Sequence, residues 1–230
     1  MLASFLWREI NKNANTNTEN SRRVIQMFTV KETKKTKQIE LWKDGKAVQK
    51  ACRDCGRVKL IEDFTRKMEG NYRVECKVCF NVKQREYLEQ NRDKRAVERQ
   101  NYRARILGMP DNFTEEDLQE LKRFSNGRCL ISGKKVENLE IDHFQALSKR
   151  FFGSTKGNII LISREVNQRK GTMSIFEFIE SKRSEGLIDK KQLSRTFKYL
   201  ASANGLSVPQ YIQLLKDAEK LAHNARELLR

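Results

Sequence analysis

Two Cys-x-x-Cys pairs constrain what this chain can fold into more than any other feature. Cys52-Arg-Asp-Cys55 and Cys76-Lys-Val-Cys79 are separated by 20 residues. That is close to the spacing from which two tight turns bring four thiolates to the corners of one tetrahedron, at Zn–S distances of about 2.3 Å. The intervening Phe64 to Val74, with Gly70-Asn71 at a turn, suits a hairpin too small to fold without a metal. Four sulfur ligands leave no open coordination position. Cys52, Cys55, Cys76 and Cys79 are therefore candidates for a structural Zn²⁺ site, and a redox use fits less well because two pairs at this spacing satisfy each other.

The start of the chain, Met1 to Trp7, is too short for a signal h-region and lacks a basic n-region. Unexported cysteine pairs imply a reducing compartment, and a bacterial cytoplasm is expected. The sequence carries 47 Lys and Arg against 30 Asp and Glu, a formal charge of +17 over 230 residues. Such an excess repels itself unless a polyanion offsets it, and nucleic acid is the expected partner. A membrane surface is the rival polyanion. No basic amphipathic helix with a broad aromatic face is evident, nor an apolar run near the roughly 18 residues a spanning helix needs, so no membrane association is expected. A hydrophobic content of 38% suits small modules in series better than one large core.

The modules can be placed. Residues 1–37 are expected to form a disordered or loosely docked arm, since 8–37 is rich in Asn, Thr and Lys with little periodicity. Residues 38–80 form the ribbon, opened by Ile39-Glu-Leu-Trp-Lys and Lys46-Ala-Val-Gln around Asp44-Gly45, a type I′ turn signal. Residues 81–108 belong to a helix running from Phe80 to Leu107, roughly 40 Å long at 1.5 Å per residue. This helix carries Lys83, Arg85, Arg92, Lys94, Arg95, Arg99, Arg103 and Arg105 interleaved with Tyr87 and Tyr102. Such a row can contact phosphates along a groove; the blander reading is a solvated helix paired internally through Glu86, Glu89, Asp93 and Glu98.

From residue 109 a new unit begins. Thr114-Glu-Glu-Asp117 is a capping box ahead of Leu118, Leu121 and Phe124; Asn138 to His143 alternates like a strand; Asn158 to Ile162 reads as a buried strand; and Ser163 to Lys170 suits a short helix. Three further helical segments follow over 175–230: Ser174 to Arg183, Lys190 to Ala203, and Ser207 to Leu229 opened by Ser207-x-x-Gln210. The chain has two histidines. His223 has no acidic partner in sequence reach and reads as an ordinary surface or packing residue. His143 ends a strand beside Asp142, with Asn158 15 residues later and Asn167 9 after that.

The segment Asp142-His143, Gly157-Asn158 and Asn167-Gln-Arg-Lys-Gly171 resembles the HNH (ββα-metal) endonuclease family, over roughly 129–174, and the upstream ribbon with its basic helix is similar to the arrangement in phage-encoded homing endonucleases. The resemblance implies an α+β fold: a small zinc ribbon, a long basic linker helix, a ββα-metal nuclease core over 109–174, and a C-terminal helical region. It implies hydrolysis of double-stranded DNA with Mg²⁺ or Mn²⁺ held by Asp142 and Asn167, hard oxygen ligands that such ions prefer. His143 would be the general base with a near-neutral pKa, Asn158 would pin the loop and the imidazole, and Lys170 would hold a neighbouring phosphate. Arg85, Arg92, Arg95, Arg99, Arg103, Lys149, Arg150, Lys156 and Arg169 are the candidate DNA contacts. Many relatives carry zinc knuckles inside the nuclease module; here Cys129-Leu-Ile-Ser132 and Ser163-Arg-Glu-Val166 stand in those places, so that core is expected to rest on Leu130, Ile131, Leu139, Ile141, Ile160 and Ile162. Alternatives from other classes are a structure-selective junction or packaging nuclease and a non-catalytic zinc-ribbon DNA-binding regulator. Monomer and homodimer both remain open.

Overall fold

The computed structural model describes residues 28–68 and 70–228, except for the side chains at 222, 223 and 225–228. The N-terminal arm as far as residue 27, and the side chain of His223, lie outside the described residues. The fold is mixed α+β with small sheets, in two compact units that divide between Glu86 and Tyr87.

In the first unit a four-stranded antiparallel meander contains β1 (Thr29–Glu32), β2 (Ile39–Lys43), β3 (Lys46–Ala51) and β4 (Val58–Leu60). The expected hairpin is present, and its turn places Asp44 at φ 50° and Gly45 at φ 75°, the left-handed pair a type I′ turn requires. β1 falls inside the stretch expected to be an arm. It pairs along its length with β2, Val30 opposite Leu41, because Thr-Val-Lys-Glu suits an edge strand once a partner exists. Across the hairpin Lys50 lies opposite Glu40, and its buried ammonium sits 3.3 Å from that carboxylate. A second hairpin, β5 (Phe64–Arg66) and β6 (Tyr72–Cys76), leads into α1 (Lys77–Gln90). Gln38 Nε2 ties the two sheets by donating to Ala51 O at 3.0 Å and Val74 O at 2.7 Å. The apolar core is minimal: Cys52, Phe64 and Cys76, with Tyr72 and Cys79 against them.

The basic stretch forms two helices, α1 and α2 (Arg92–Arg105), where one was expected. Asn91 is the break. Its backbone leaves the helical range at φ −105°, ψ 20°, while its N and its side chain both donate to Tyr87 O, at 3.0 and 2.8 Å. α2 buries Val97, Gln100 and Ala104 along one face and packs on α3 (Glu115–Ser125), whose start carries the Thr114/Asp117 capping box.

At the centre of the second unit are β7 (Leu139–His143) and β8 (Ile159–Ser163), antiparallel with Asp142 opposite Ile160 and His143 opposite Ile159. All five residues of β8 are buried, because α3 packs on this strand and so does α4 (Arg164–Lys170), which also covers β7. Leu130, Ile131, Ile160 and Ile162 are fully buried, and Leu139 and Ile141 are half-buried against the same core. Each complete burial contributes about 1.5–3 kcal/mol. α5 (Ile175–Glu180), α6 (Lys190–Ala203) and α7 (Val208–Leu228) complete the unit, with α6 packed on α7. The capping boxes at Ser174/Glu177 and Ser207/Gln210 both form. Among the described residues no helix is long and apolar enough to cross a membrane.

The segment between β7 and β8 is held from both sides. Asn158 Oδ1 accepts from Gln145 N at 2.8 Å, while its Nδ2 donates to Gln145 O at 3.1 Å and Gly153 O at 3.0 Å. On the opposite flank Ser154 N donates to Pro110 O at 2.8 Å, and Phe113 N donates to Ser154 O at 3.0 Å. This backbone contact leaves no room at Gly153, where a Cβ would lie 1.9 Å from Pro110 O. Gly153→Ala is expected to displace the segment and destabilise the protein by about 1–3 kcal/mol, the usual cost of overpacking, as measured by urea unfolding. An unchanged midpoint would show that the two backbones can separate freely.

Candidate functional site

In the first unit the two knuckles converge. The Sγ atoms of Cys52, Cys55, Cys76 and Cys79 all lie within 4.8 Å of one another. Ligands at about 2.3 Å from a common tetrahedral centre would be about 3.8 Å apart, so a small contraction completes a metal site. Cys76 N donates to Cys52 Sγ at 3.3 Å, the kind of bond that steadies a thiolate. Burial opposes ionisation of Cys52, but backbone N–H groups of Cys55, Cys76 and Asp54 outweigh it and lower the pKa. Cys79 moves the other way, through hydrogen bonding to Cys76 and burial. Four crowded sulfurs cannot all ionise without a cation among them. The set could hold one metal ion, and among the described residues it is the one group of cysteine, histidine and carboxylate ligands converging in this way.

In the second unit strand alternation sorts the side chains of β7. Glu140 and Asp142 lie on one side, and α4, whose Asn167 and Lys170 are three residues apart on one face, meets them there. Lys170 Nζ, with no exposed surface, donates to Asp142 Oδ2 and to His143 O, each at 2.8 Å. Asn167 Nδ2 donates to Glu140 Oε2 at 2.7 Å. The Oδ1 atoms of Asp142 and Asn167 accept no hydrogen bond among the described residues.

His143 is 2% exposed, and its Nε2 lies 2.8 Å from Ser154 Oγ. Burial pushes its pKa down to about 4; Asp142 opposes this, while the charges of Arg103 and Lys170 add to it. This is well below the near-neutral value expected from the sequence, and the reason is desolvation by a fold that a local motif does not reveal. At neutral pH the imidazole is uncharged. Asp142 and His143 both line a cavity of about 460 Å³, together with Arg103, Ser148, Arg150 and Thr172. A second, larger cavity of about 710 Å³ is lined by Glu140 and Asn167 from the ββα side and by Arg92, Arg99 and Gln100 from α2.

The remaining candidates divide. Asn158 pins the loop as its position suggested but does not touch the imidazole; Ser154 does. Lys170 faces the strand from within the core, which is a different task from holding a phosphate. Lys149 is engaged by Glu177, Lys156 reaches Glu120 at 2.6 Å, and Arg169 is 3.9 Å from Glu165. Arg85, Arg92, Arg95, Arg99, Arg103 and Arg150 are exposed. Two polar contacts escaped the sequence reading. Glu140 was within reach of it, since a carboxylate two residues before Asp142 must share its face of the strand. Ser154 was not, because its partners are set by tertiary packing alone. Compared with known proteins, the chain matches no family model and no curated protein.

The buried neutral imidazole has a consequence for stability. An unfolded-state histidine takes up its proton near pH 6.5, whereas the folded one resists until about 4. The unfolded state thus binds more protons between those values, and stability falls as pH drops through that window. At pH 5 the cost is about 2 kcal/mol relative to pH 7.5. Urea unfolding of the protein and of His143→Gln at both pH values should show a smaller acid loss in the variant by about that amount. Equal losses would place the ring in solvent.

Proposed function

We propose that the protein is a DNA endonuclease of the HNH type, hydrolysing phosphodiester bonds with Mg²⁺ or Mn²⁺, and that its four-cysteine unit is a Zn²⁺ ribbon serving as a DNA anchor. The observation that carries the reading is the cavity that Asp142 and His143 line together with Arg103 and Arg150. A carboxylate, an uncharged imidazole and two guanidinium groups around one space are what attack on a phosphodiester requires: an acceptor for the water proton and positive charge for the phosphate.

The donor chemistry fits a hard divalent ion. Asp142 spends one oxygen on Lys170 and keeps the other for a cation in the cavity it shares with His143, while Asn167, which spends one amide hydrogen on Glu140 and keeps its oxygen, lines the larger cavity. Such an ion, when bound, would neutralise phosphate charge and stabilise the leaving 3′ oxygen. The chain's own residues supply the rest. His143 takes the proton of the attacking water, its lowered pKa keeping it unprotonated at neutral pH at the expense of basicity. Asn158 fixes the loop that carries the cavity wall, and Lys170 holds Asp142 on the correct side of β7. Arg92, Arg99 and Arg103, all on the cavity-lining side of α2, receive the strand through its phosphates.

The purified protein is expected to nick supercoiled plasmid with Mg²⁺ or Mn²⁺ and not with EDTA. His143→Ala should reduce the rate by about 10²–10⁴-fold while DNA binding persists. His143→Ala is a cleaner test than Asp142→Ala, which would strand a buried ammonium and risk unfolding. Cleavage by His143→Ala at the wild-type rate, or no cleavage by the wild type, would remove the assignment. The ribbon makes a separate demand: elemental analysis should find one zinc per chain, absent from Cys52→Ser, with loss of DNA affinity. A zinc-free protein that binds DNA equally well would dismiss the anchor role.

A further inference from the structure

We propose that Ser154 is the positioning residue for His143: its hydroxyl fixes the imidazole as the Nε2–H tautomer and so presents an unprotonated Nδ1 to the cavity. The inference rests on the nuclease reading for its consequence in catalysis, but the tautomer itself follows from two distances. Ser154 Oγ lies 2.7 Å from Gln100 O. A carbonyl oxygen can only accept, and two oxygens at that separation repel unless a proton lies between them. The single hydroxyl proton is therefore committed to Gln100. Towards His143 Nε2, 2.8 Å away, Ser154 Oγ can only accept, so Nε2 must carry the hydrogen. A neutral imidazole has one such hydrogen, and Nδ1 keeps its lone pair.

Ser154 cannot easily turn to any other arrangement. It has no exposed surface, its N donates to Pro110 O at 2.8 Å, and its carbonyl accepts from Phe113 N at 3.0 Å. Every polar group of the residue is thus engaged. Among the described residues Nδ1 makes no hydrogen bond, although the residue lines the cavity shared with Asp142 and Arg103. The same hydroxyl joins the base to α2. Gln100, whose carbonyl takes the proton, is three residues before Arg103 on the helix proposed to receive the phosphates. A strand seated on Arg103 is then held in a fixed relation to Nδ1 through Gln100, Ser154 and the ring. Had Ser154 been free to donate to Nε2, the other tautomer would point an N–H at the cavity, and a donor cannot accept the proton of a water.

The test uses the full-length protein at pH 7.5. Long-range ¹H–¹⁵N spectra of the imidazoles distinguish the two tautomers, and His143→Gln identifies which signals belong to this ring. The wild type should show the Nε2–H form alone, and Ser154→Ala a mixture. In single-turnover cleavage of supercoiled plasmid, Ser154→Ala should slow the chemical step about 10–10²-fold with DNA affinity within about twofold, and Ser154→Thr, which keeps the hydroxyl, should recover most of the rate. An Nδ1–H tautomer in the wild type overturns the proposal even if Ser154→Ala does not fold. So does wild-type cleavage by a folded Ser154→Ala. A wild type that shows the Nε2–H form but never cleaves DNA would instead defeat the nuclease reading and leave the assignment of the ring standing.

Discussion

A lysine ammonium with no exposed surface is among the most expensive groups a small domain can enclose, and the second unit is arranged around one. Lys170 is tolerable only because Asp142 Oδ2 and His143 O both lie 2.8 Å from its nitrogen. Removing the Asp142 carboxylate would leave a buried charge uncompensated, a penalty of about 3–5 kcal/mol in comparable cases. The bond also fixes where α4 sits. Once Lys170 is docked on the end of β7, the three-residue step back along the helix brings Asn167 to the strand's preceding same-side residue, Glu140, and that contact closes at 2.7 Å. Two steps of different period, two residues on a strand and three on a helix, thereby come into register at one polar seam.

The seam leaves a pattern of occupied donors and open acceptors. Asn167 gives one amide hydrogen to Glu140, Lys170 gives two of its three to Asp142 and a carbonyl, and the hydrogen between His143 and Ser154 is confined to one side of the ring. Asp142 Oδ1, Asn167 Oδ1 and His143 Nδ1 accept no hydrogen bond among the described residues, while Asn167 and Lys170 each keep one further N–H. The open acceptors are the complement of a cation or of a water proton. On the proposed reading, anion contact falls to the guanidinium groups that line the same cavity. The arrangement has a chemical cost: the burial that orients His143 also lowers its pKa to about 4, trading basicity for certainty that the ring is unprotonated.

Much of the framework could be read from the sequence wherever a rule is local. The knuckle spacing, the Asp44-Gly45 turn, the capping boxes at Thr114, Ser174 and Ser207, and the alternation of β7 each depend on residues within a few positions of one another. Failures came where distant contacts decide. The exception is the local break at Asn91, whose side chain and N–H share the Tyr87 carbonyl within an otherwise strong helical pattern. β1 had to find β2 before its four residues meant anything. Lys170, a cation near a presumed phosphate site, read naturally as a phosphate ligand, yet packing turns it inward. Ser154 meets its two partners 11 and 54 positions away, and no spacing rule connects a loop serine to a helix carbonyl and a strand histidine.

Net charge is similarly informative only after packing is known. A formal +17 suggests a uniformly basic surface, but several lysines of the second unit are already matched: Lys122 by Asp93, Lys149 by Glu177, Lys156 by Glu120. Matched charges contribute little to a long-range field that salt screens within about 10 Å at 0.1 M. On α2 the distribution is different. Arg92, Arg99 and Arg103 make no ion pair among the described residues and sit, with Ala96, at positions 4, 7 and 11 residues on from the first, which is one side of a helix. Guanidinium groups on that side border both cavities, opposite Glu140 and Asp142. Positive charge is thus concentrated where the acidic seam of β7 would repel a polyanion, so on the proposed reading the helix supplies the attraction that lets the carboxylates approach a phosphate.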